Sequence, residues 1–318
     1  MNANRKIGII SVWIGPLPSY FRLWVRSLKK NHSFDFLLFT DQPVASDLPD
    51  NLRVINLSFS DLKNLISGKI SLEIDIDHPY KLCDFRPAYG EIFADHLADY
   101  DFWGSCDIDL LFGDLKKFIT EELLLSYKKI FSRGHLTLFR NEPAINAAYR
   151  SSHSVDYKRI LRSAENFAFD EWSGIHRIFE ELGIDQYNEQ VMADLKVNSA
   201  RLVCSNLQNF ADQIFVWQEG DVRQYYVKDG KLGVKELAYV HFQKRKITIS
   251  DEGVYSSRTV ILNPQSILPF HGVISAAKVK EFDRANYGYY IHMQLERAKK
   301  AISKLKKHSP QTSKTPQL

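Results

Sequence analysis

The sequence predicts an α/β fold with a mostly parallel central sheet flanked by helices. Two continuous apolar runs, KIGIISVWIG (6–15) and FDFLLFTD (34–41), read as buried strands, and the segment between them has apolar residues at helical spacing. A third run, LRVINL (52–57), is followed by another helical pattern. Alternation of this kind is typical of parallel strands joined by crossover helices, and strands without polar alternation are typical of a sheet covered on both faces.

Further along the chain the elements are less regular. Residues 81–100 predict a helix capped by Asp84, which leads into a strand ending before the next acidic pair. Residues 171–183 predict a second helix, which ends at a glycine. Asp229 and Gly230 stand between two strand-like segments, and this dipeptide predicts a β-hairpin turn.

Length, composition and charge bound the domain organisation. A chain of 318 residues with 44% hydrophobic residues can bury a large core, and we expect one domain over 1–288. Residues 289–308 predict a basic amphipathic helix, and 309–318 a disordered tail. Residues 294–318 hold seven Lys or Arg and one Glu, a net charge of +6, which leaves −2 on the rest of the +4 chain. A near-neutral body argues against a nucleic-acid-binding protein.

The lack of a recognisable targeting signal and the spacing of the cysteines predict a cytoplasmic protein. No stretch approaches the ~20 apolar residues of a membrane span, and the N-terminal segment runs into a strand without a cleavage site. The three cysteines are widely spaced, so we expect reduced core thiols. The basic helix fits either an anionic membrane surface, as a peripheral contact on the inner face of the cell membrane, or the protein's own body.

The chain contains the triplet Asp-Ile-Asp twice, and the two contexts differ. Around Asp75 and Asp77, apolar and acidic residues alternate, which predicts an edge strand with a solvated acidic face. Asp107 and Asp109 instead follow FWGSC (102–106), a run without alternation that is typical of a central strand. They stand at the carboxyl end of that strand, where open α/β sheets bind ligands.

The spacing of Asp107 and Asp109 suits a divalent cation. Residues two apart in an extended chain point to the same side, so both carboxylates can face one ion. Their alternative role is to form the turn after the strand. We favour the metal site for this pair and a solvated surface for the upstream pair.

The order of motifs resembles that of GT-A nucleotide-sugar glycosyltransferases, and most closely of bacterial enzymes that build polysaccharides and lipopolysaccharides. The resemblance rests on the N-terminal strands, KLCDFRPAYGEIF, YDFWGSCDIDLLFGDL, an acidic DEW and a late HFQKRK. It implies that Asp107 and Asp109 hold Mn²⁺ or Mg²⁺, that His241 completes the metal shell, and that the ion bridges the two phosphates of the donor. A satisfied core histidine is the alternative for His241.

The resemblance also implies residues that bind the donor and residues that act on the acceptor. The donor candidates are Asp41, Lys81, Asp84, Arg86, Asp107, Lys244 and Lys246. Asp170 and Glu171 resemble the acidic motif of inverting enzymes, so Asp170 is predicted as the base that takes the acceptor proton and Glu171 as an acceptor ligand. A helix cap is the alternative role for this pair.

The sequence therefore predicts a metal-dependent glycosyltransferase that moves a sugar from a nucleotide donor, a UDP-sugar, to a saccharide or lipid-linked saccharide acceptor. A nucleotidyltransferase would want a Gly-rich basic loop after the first strand, and WIGPLPSY has one glycine and no lysine. A haloacid-dehalogenase phosphatase would carry its acidic pair after the first strand. A non-catalytic carbohydrate-binding protein stays open, because 13% aromatic residues could supply sugar-stacking surfaces.

Overall fold

The computed structural model describes residues 5–151 and 153–307. Its strands are β1 (Ile7–Trp13), β2 (Phe34–Thr40), β3 (Leu52–Asn56), β4 (Phe102–Cys106), β5 (Leu110–Phe112), β6 (Lys129–Arg133), β7 (Leu136–Arg140), β8 (Gln186–Tyr187), β9 (Ala193–Asp194), β10 (Asp212–Gln218), β11 (Asp221–Lys228), β12 (Lys231–Leu237), β13 (Tyr239–His241), β14 (Thr259–Leu262) and β15 (Ile267–Phe270). Its α-helices are α1 (Phe21–Leu28), α2 (Phe59–Ile70), α3 (Tyr89–Ile92), α4 (Ala94–Leu97), α5 (Glu121–Ser126), α6 (Pro143–Asn146), α7 (Tyr157–Arg162), α8 (Arg177–Glu181), α9 (Ala276–Phe282) and α10 (Tyr287–Lys307).

The central sheet has the strand order β3-β2-β1-β4-β7-β6-β8. The pairings of β1 with β2, β2 with β3, β1 with β4 and β6 with β8 are parallel, and β7 runs antiparallel to both of its neighbours. The predicted α/β class with a mostly parallel central sheet is confirmed. β1 sits between β2 and β4, although β4 comes almost 90 residues later in the chain, so the order reverses at β1. Such a reversal opens a crevice at the carboxyl ends of the strands.

Both faces of this sheet are covered, as the continuous apolar strands predict. On β1, Ile9 belongs to the core under α1, where Trp24 is buried, whereas Ile10 belongs to the core under α2, where Leu62 is buried. Side chains alternate between the two faces of a strand, so both of these neighbours must be apolar. At about 25 cal/mol per Å² of buried apolar area, these two layers are the main favourable contribution to folding.

Two smaller sheets complete the fold. One has the order β5-β13-β9, and the other is an antiparallel sheet with the order β12-β11-β10-β14-β15. The predicted hairpin is confirmed: Asp229 and Gly230 both have positive φ and connect β11 to β12. The chain passes from β4 of the central sheet to β5 of the small sheet through residues 107–109. The downstream Asp-Ile-Asp therefore stands at a junction between two sheets.

Three predicted elements are wrong in detail. Residues 79–88 form a 3₁₀ helix, followed by the short helices α3 and α4, because Pro87 lacks the N–H that a continuous α-helix would need there. Among the described residues, the upstream Asp-Ile-Asp segment has no strand partner, although Leu72 and Ile76 are buried and the acids between them are exposed. The helix predicted over 171–183 is divided into a π-helical turn at Trp172–His176, kinked at Gly174, and α8, and Gly183 with its positive φ follows.

The predicted C-terminal helix corresponds to α10, while residues 308–318, with the predicted tail, lie outside the described residues. Tyr289 is buried and fixes the start of α10, donating from its hydroxyl to Val197 O at 2.9 Å. The exposed apolar side chains of α10 include Ile291, Leu295 and Ile302. Within the described residues, none of the helices has the length and apolar character that crossing a bilayer requires.

Candidate active site

The backbone on each side of Ile108 is held by a different segment. The Asp107 N–H donates to His135 O at 3.0 Å, which continues the pairing of β4 with β7. Asp109 O accepts from the Phe242 N–H at 2.9 Å, which continues the pairing of β5 with β13. Ile108 itself is buried. Asp107 and Asp109 are therefore fixed relative to His241 by sheet geometry, before any side-chain contact is made.

The three predicted metal ligands converge. Oxygens of Asp107 and Asp109 and a ring nitrogen of His241 all lie within 4.8 Å of one another. His241 Nε2 is 3.4 Å from Asp109 Oδ1 and 3.9 Å from Asp107 Oδ2. Asp109 Oδ1 is buried and has no hydrogen-bond partner among the described residues. A buried oxygen without a partner is costly unless something else binds it.

This donor set fits a divalent cation. Carboxylate oxygens are the ligands that Mg²⁺ and Mn²⁺ prefer, and an imidazole is acceptable to Mn²⁺. Asp109 Oδ1 supplies the test of fit: among the described residues it accepts no hydrogen bond and lies 3.4 Å from His241 Nε2, so a cation could bind it directly. Asp75 and Asp77 are both exposed and belong to no such group.

Asp194 orients His241 from the other side of the ring. His241 Nδ1 lies 2.9 Å from Asp194 Oδ1, and the carboxylate also accepts from Gln243 and Ser205. Burial opposes the charge on Asp194, but these three hydrogen bonds outweigh it and lower its pKa. Asp194 thus stays ionised, and Nδ1 of His241 must carry the proton. Nε2 is left facing Asp107 and Asp109, as a metal-binding histidine requires.

Acidic neighbours dominate the protonation of His241. Burial lowers the pKa of its imidazole, but Asp109, Asp194 and Asp107 outweigh burial and raise this pKa to about 10. Burial raises the pKa of Asp109, and the charge on Asp107 adds to the rise. When no cation is bound, His241 therefore carries a proton on Nε2, and this positive ring attracts the carboxylates of Asp107 and Asp109. A bound cation would replace that proton.

Arg86 connects the metal-site aspartates to the second predicted acidic pair. Its guanidinium pairs with Asp107 through one nitrogen and donates to Asp170 Oδ2 at 2.8 Å and to Gly134 O at 2.8 Å through the other. A Cβ at Gly134 would collide with the carboxyl group of Asp170, so glycine permits this close approach. The predicted site residue Arg86 thus lies between Asp107 and Asp170.

Asp170 and Glu171 face the same cavity. Glu171 stands at the N-cap of a π-helical turn, Trp172–His176, that leads into α8, but its side chain makes no capping hydrogen bond. Burial raises the pKa of Asp170 to about 7, although Arg86 opposes the rise. Burial also raises the pKa of Glu171. A carboxyl group with a pKa near neutrality can exchange a proton with a ligand.

Three of the predicted donor-binding residues lie away from the cavity wall. Lys81 and Asp84 are fully buried and pair with each other at 2.8 Å. Lys81 also donates to Ile160 O and Glu165 O, and Asp84 accepts from the Phe167 and Phe169 N–H groups. Internal partners satisfy both side chains, which favours a structural role for the pair over the predicted contact with the donor. Lys246 is exposed, and it is absent from the described residues that line the cavity.

The remaining predicted residues lie near the mouth. Lys244 lines the cavity, with its Nζ 4.6 Å from the centre of the Tyr80 ring. Asp41 accepts from the Gly15 N–H at 2.9 Å and so fixes the loop after β1. Asp41 is exposed and is not among the described lining residues, so its contact to a nucleotide stays a prediction. Cys83 lines the cavity, whereas the other two cysteines are buried as expected.

Two side chains of the site have no signal in the sequence. Asp194 belongs to the two-residue strand β9, and His135 follows the Gly134 turn before β7. His135 stacks on His241 with ring centres 4.3 Å apart, and its Nδ1 lies 2.9 Å from the Tyr239 hydroxyl. Neither residue belongs to a motif, because each reaches the site through long-range pairing alone. A search for lone Asp and His residues flanking short apolar segments would have found them among many others.

The acidic groups and His241 line one cavity of about 820 Å³. Its wall includes Trp13, Tyr20, Tyr80, Arg133 and Asn166 in addition to the charged groups already described. The volume lies within the range of small-molecule pockets, and the site stands at the reversal point of the strand order, where α/β sheets bind ligands. This arrangement can bind a metal and an anionic ligand at one end and accept a proton at the other.

No curated protein matches the chain. Three solved structures resemble it at low identity. The galactosyltransferase LgtC is 12% identical with a TM-score of 0.35, over 59% of this chain and 75% of that one. Mouse xyloside xylosyltransferase 1 is 11% identical with a TM-score of 0.38, over 60% and 88%. The glycosyltransferase GlyE of Streptococcus pneumoniae is 14% identical with a TM-score of 0.29, over 59% and 45%. The function proposed below therefore rests on the geometry of the site. The chain belongs to the "Family of unknown function (DUF6625)", whose model matches residues 9–271.

Proposed function

We propose that this protein is a metal-dependent glycosyltransferase, which moves a sugar from a nucleotide donor, a UDP-sugar, to a saccharide or lipid-linked saccharide acceptor. One observation carries the proposal: Asp107, Asp109 and His241 converge in a cavity of about 820 Å³, and a buried oxygen of Asp109 has no hydrogen-bond partner among the described residues. The motif order of the sequence, which resembles GT-A enzymes, supports the same reading. Mn²⁺ or Mg²⁺ is the proposed ion.

The donor end of the cavity is the end with the metal ligands. When bound there, the divalent cation would stabilise the negative charge that a departing nucleoside diphosphate gains. Asp107 and Asp109 hold the ion with His241, and Asp194 keeps the imidazole turned toward it. Lys244 is exposed at the rim and adds a positive charge beside the diphosphate.

The acceptor end is the end with Asp170 and Glu171. In an inverting transfer, the acceptor oxygen forms a bond to the anomeric carbon, the bond from that carbon to the diphosphate oxygen breaks, and the hydroxyl proton passes to Asp170. Arg86 positions the Asp170 carboxylate and connects it to Asp107. Glu171 accepts a hydrogen bond from another acceptor hydroxyl.

A thermal-shift panel tests this proposal. A UDP-sugar with Mn²⁺ should stabilise the protein, whereas the same nucleotide with EDTA should not, and GDP-sugars form a second diphosphate arm of the panel. A ligand at 100 times its dissociation constant adds about 2.7 kcal/mol of stability. A carbohydrate-binding protein without catalysis would respond to free sugars and show no metal requirement. Absence of any metal-dependent nucleotide effect across the panel would remove the proposal.

We further propose that α10 binds an anionic membrane surface, where a lipid-linked acceptor for surface polysaccharide synthesis would be presented. Ile291, Leu295 and Ile302 are each more than half exposed, which is costly for a helix in water. The same stretch carries the basic residues that give residues 294–318 their charge of +6. Exposed apolar side chains beside an excess of Lys and Arg are typical of helices that lie in a membrane interface.

Vesicle co-sedimentation tests the membrane contact. The full chain should sediment with vesicles of phosphatidylglycerol at low salt and be released as salt screens the attraction. Deleting residues 294–318 should abolish sedimentation while leaving the Mn²⁺-dependent thermal shift in place. Equal sedimentation with neutral vesicles, or no sedimentation with phosphatidylglycerol vesicles at low salt, would contradict the proposed membrane contact.

A further inference from the structure

Arg133 is one of the arginines that line the cavity. Its guanidinium forms no hydrogen bond or ion pair with any described residue, and its Nε is buried. The two other arginines of the cavity wall are fully engaged. Arg86 pairs with Asp107 and Asp170, and Arg245 donates to four backbone carbonyls. Arg133 is thus the arginine of this wall that is left to bind a ligand.

The strand that carries Arg133 is distorted immediately before it. The pairing of β6 with β7 shifts its register between Ile130 and Arg133, and Phe131 has a φ of 67°. Positive φ is unfavourable for a bulky aromatic residue, and burial of the Phe131 ring holds it in place. A bulge changes which face the residues after it point to, and bulges are common beside active sites, where they re-aim a side chain. Here the re-aimed side chain is Arg133.

Trp172 lies beside Arg133 and follows the lining residue Glu171, although it is not itself among the described residues that line the cavity. Its side chain is 43% exposed, and it follows Glu171 directly. The Arg133 guanidinium lies over the Trp172 ring, 5.9 Å from its centre, and His176 meets the ring at 4.1 Å between centres. An indole held in this way offers apolar surface to a sugar ring, while Arg133 offers N–H donors beside it.

We propose that Arg133 and Trp172 bind a saccharide acceptor that carries an anionic group, a carboxylate or a phosphate, next to the transfer site. This inference rests on the proposed function, since it names the acceptor class of the same cavity. A guanidinium has only donors, in a fork that matches the two oxygens of a carboxylate or a phosphate. Glu171 has only acceptors when ionised, so it suits a sugar hydroxyl and not the anion. Among the described residues no ion pair joins Arg133 to Glu171, although the charge of Arg133 lowers the pKa of Glu171, so the guanidinium can bind the anion while Glu171 binds a hydroxyl.

Saturation-transfer NMR with matched sugars tests the subsite. The probes are glucuronate, galacturonate and glucose 6-phosphate, each against neutral glucose or galactose, with Mn²⁺ and UDP present. At least one acidic probe should bind the parent tenfold tighter than its neutral counterpart. Arg133→Gln should remove this preference, and Arg133→Lys should retain part of it, because lysine keeps the charge without the fork. Trp172→Ala should weaken acidic and neutral probes alike.

Arg258→Gln is the matched control, because Arg258 is an arginine 84% exposed that pairs with Glu219 at the surface. This variant should bind every probe with the affinity of the parent. Equal binding of acidic and neutral probes to the parent, or a preference that survives Arg133→Gln in folded protein, would overturn the subsite. A comparison of UDP-glucuronate with UDP-glucose tests whether the anionic group belongs to the donor sugar. If Arg133→Gln weakens only UDP-glucuronate, the anion belongs to the donor and the acceptor assignment is wrong.

The same experiment separates this inference from the proposed function. If UDP shows no Mn²⁺-dependent binding while Arg133 still selects acidic sugars, the transferase proposal fails and the anion subsite stands. If UDP binds with Mn²⁺ while acidic sugars gain nothing, the transferase proposal stands and the subsite fails.

Discussion

The two ring nitrogens of His241 have separate tasks. Nδ1 is held by Asp194 at 2.9 Å, and Nε2 faces the Asp107 and Asp109 carboxylates. Because the acidic neighbours raise its pKa to about 10, the ring is doubly protonated at neutral pH when no metal is present. Metal binding needs the neutral ring, so proton and metal compete for Nε2.

This competition predicts a pH dependence. Between pH 6 and 8, below the pKa of His241, Mn²⁺ affinity should rise by about tenfold per pH unit, because binding releases about one proton. Calorimetry in two buffers of different ionisation enthalpy measures the proton number directly. His241→Ala should weaken the affinity for Mn²⁺ by about 10 to 100-fold, and it should flatten the dependence of this affinity on pH. A parent affinity that is constant over this range would show that His241 does not ligate the metal.

Asp170 carries the second prediction at this scale. Burial raises its pKa to about 7, and a base must be ionised, so turnover should rise with pH up to about 7 and then level. Asp170→Asn should lower turnover by about 10² to 10⁴ and abolish this limb of the pH profile, with Mn²⁺-dependent donor binding preserved. If Asp170→Asn and Glu171→Gln both turn over at the parental rate, the pair is structural, and a retaining mechanism without an enzymic base becomes the better account.

At the scale of elements, the 3₁₀ helix at residues 79–88 positions the loop that ends at Asp170. The buried pair of Lys81 and Asp84 holds backbone groups of residues 165–169, and Arg86, two residues beyond Asp84, meets Asp170 directly. The sequence shows which residues this segment contains, but it does not show which way their side chains point. In an α-helix and in a 3₁₀ helix, the same spacing places side chains on different faces.

Asp84→Ala should therefore affect stability and not donor recognition. Removing one partner of a buried pair leaves the other charge uncompensated, so the free energy of unfolding should fall by about 3 to 5 kcal/mol. Chemical denaturation measures this loss, and Asp75→Ala, at an exposed aspartate, serves as the control with less than about 0.5 kcal/mol. A double variant, Lys81→Met with Asp84→Leu, removes both charges but also removes the partners of four backbone groups, so it should recover only part of the loss. An unchanged denaturation midpoint with weakened UDP binding would restore Asp84 to the donor site.

At the scale of the whole molecule, the sequence predicted the parts that depend on local pattern. The parallel strands β1 to β4, the helices between them and the turn at Asp229 and Gly230 follow from apolar periodicity and turn chemistry. The convergence of the acidic pair with His241 was also anticipated, although through a family resemblance. The antiparallel five-stranded sheet was missed except for its hairpin.

The missed features share a physical cause. β9, β5 and β13 have two or three residues each, too few to show a period, and they pair across long sequence separations. Asp194 enters the site through these pairings, and His135 enters it through the pairing of β4 with β7. Arg133 does so through a register shift that no local pattern encodes. Tertiary pairing therefore determines which side chains surround the metal ligands, while local pattern determines where the strands of the site end.

The central claim is that one Asp-Ile-Asp holds a metal that binds a nucleoside diphosphate and the other does not. Isothermal titration of UDP into the parent, Asp109→Ala and Asp77→Ala proteins, each with Mn²⁺ and with EDTA, tests it most directly. We expect Mn²⁺-dependent UDP binding in the parent and in Asp77→Ala, and none in Asp109→Ala, with all three proteins folded by circular dichroism. Equal loss in both variants, or UDP binding by Asp109→Ala that still requires Mn²⁺, would contradict the claim.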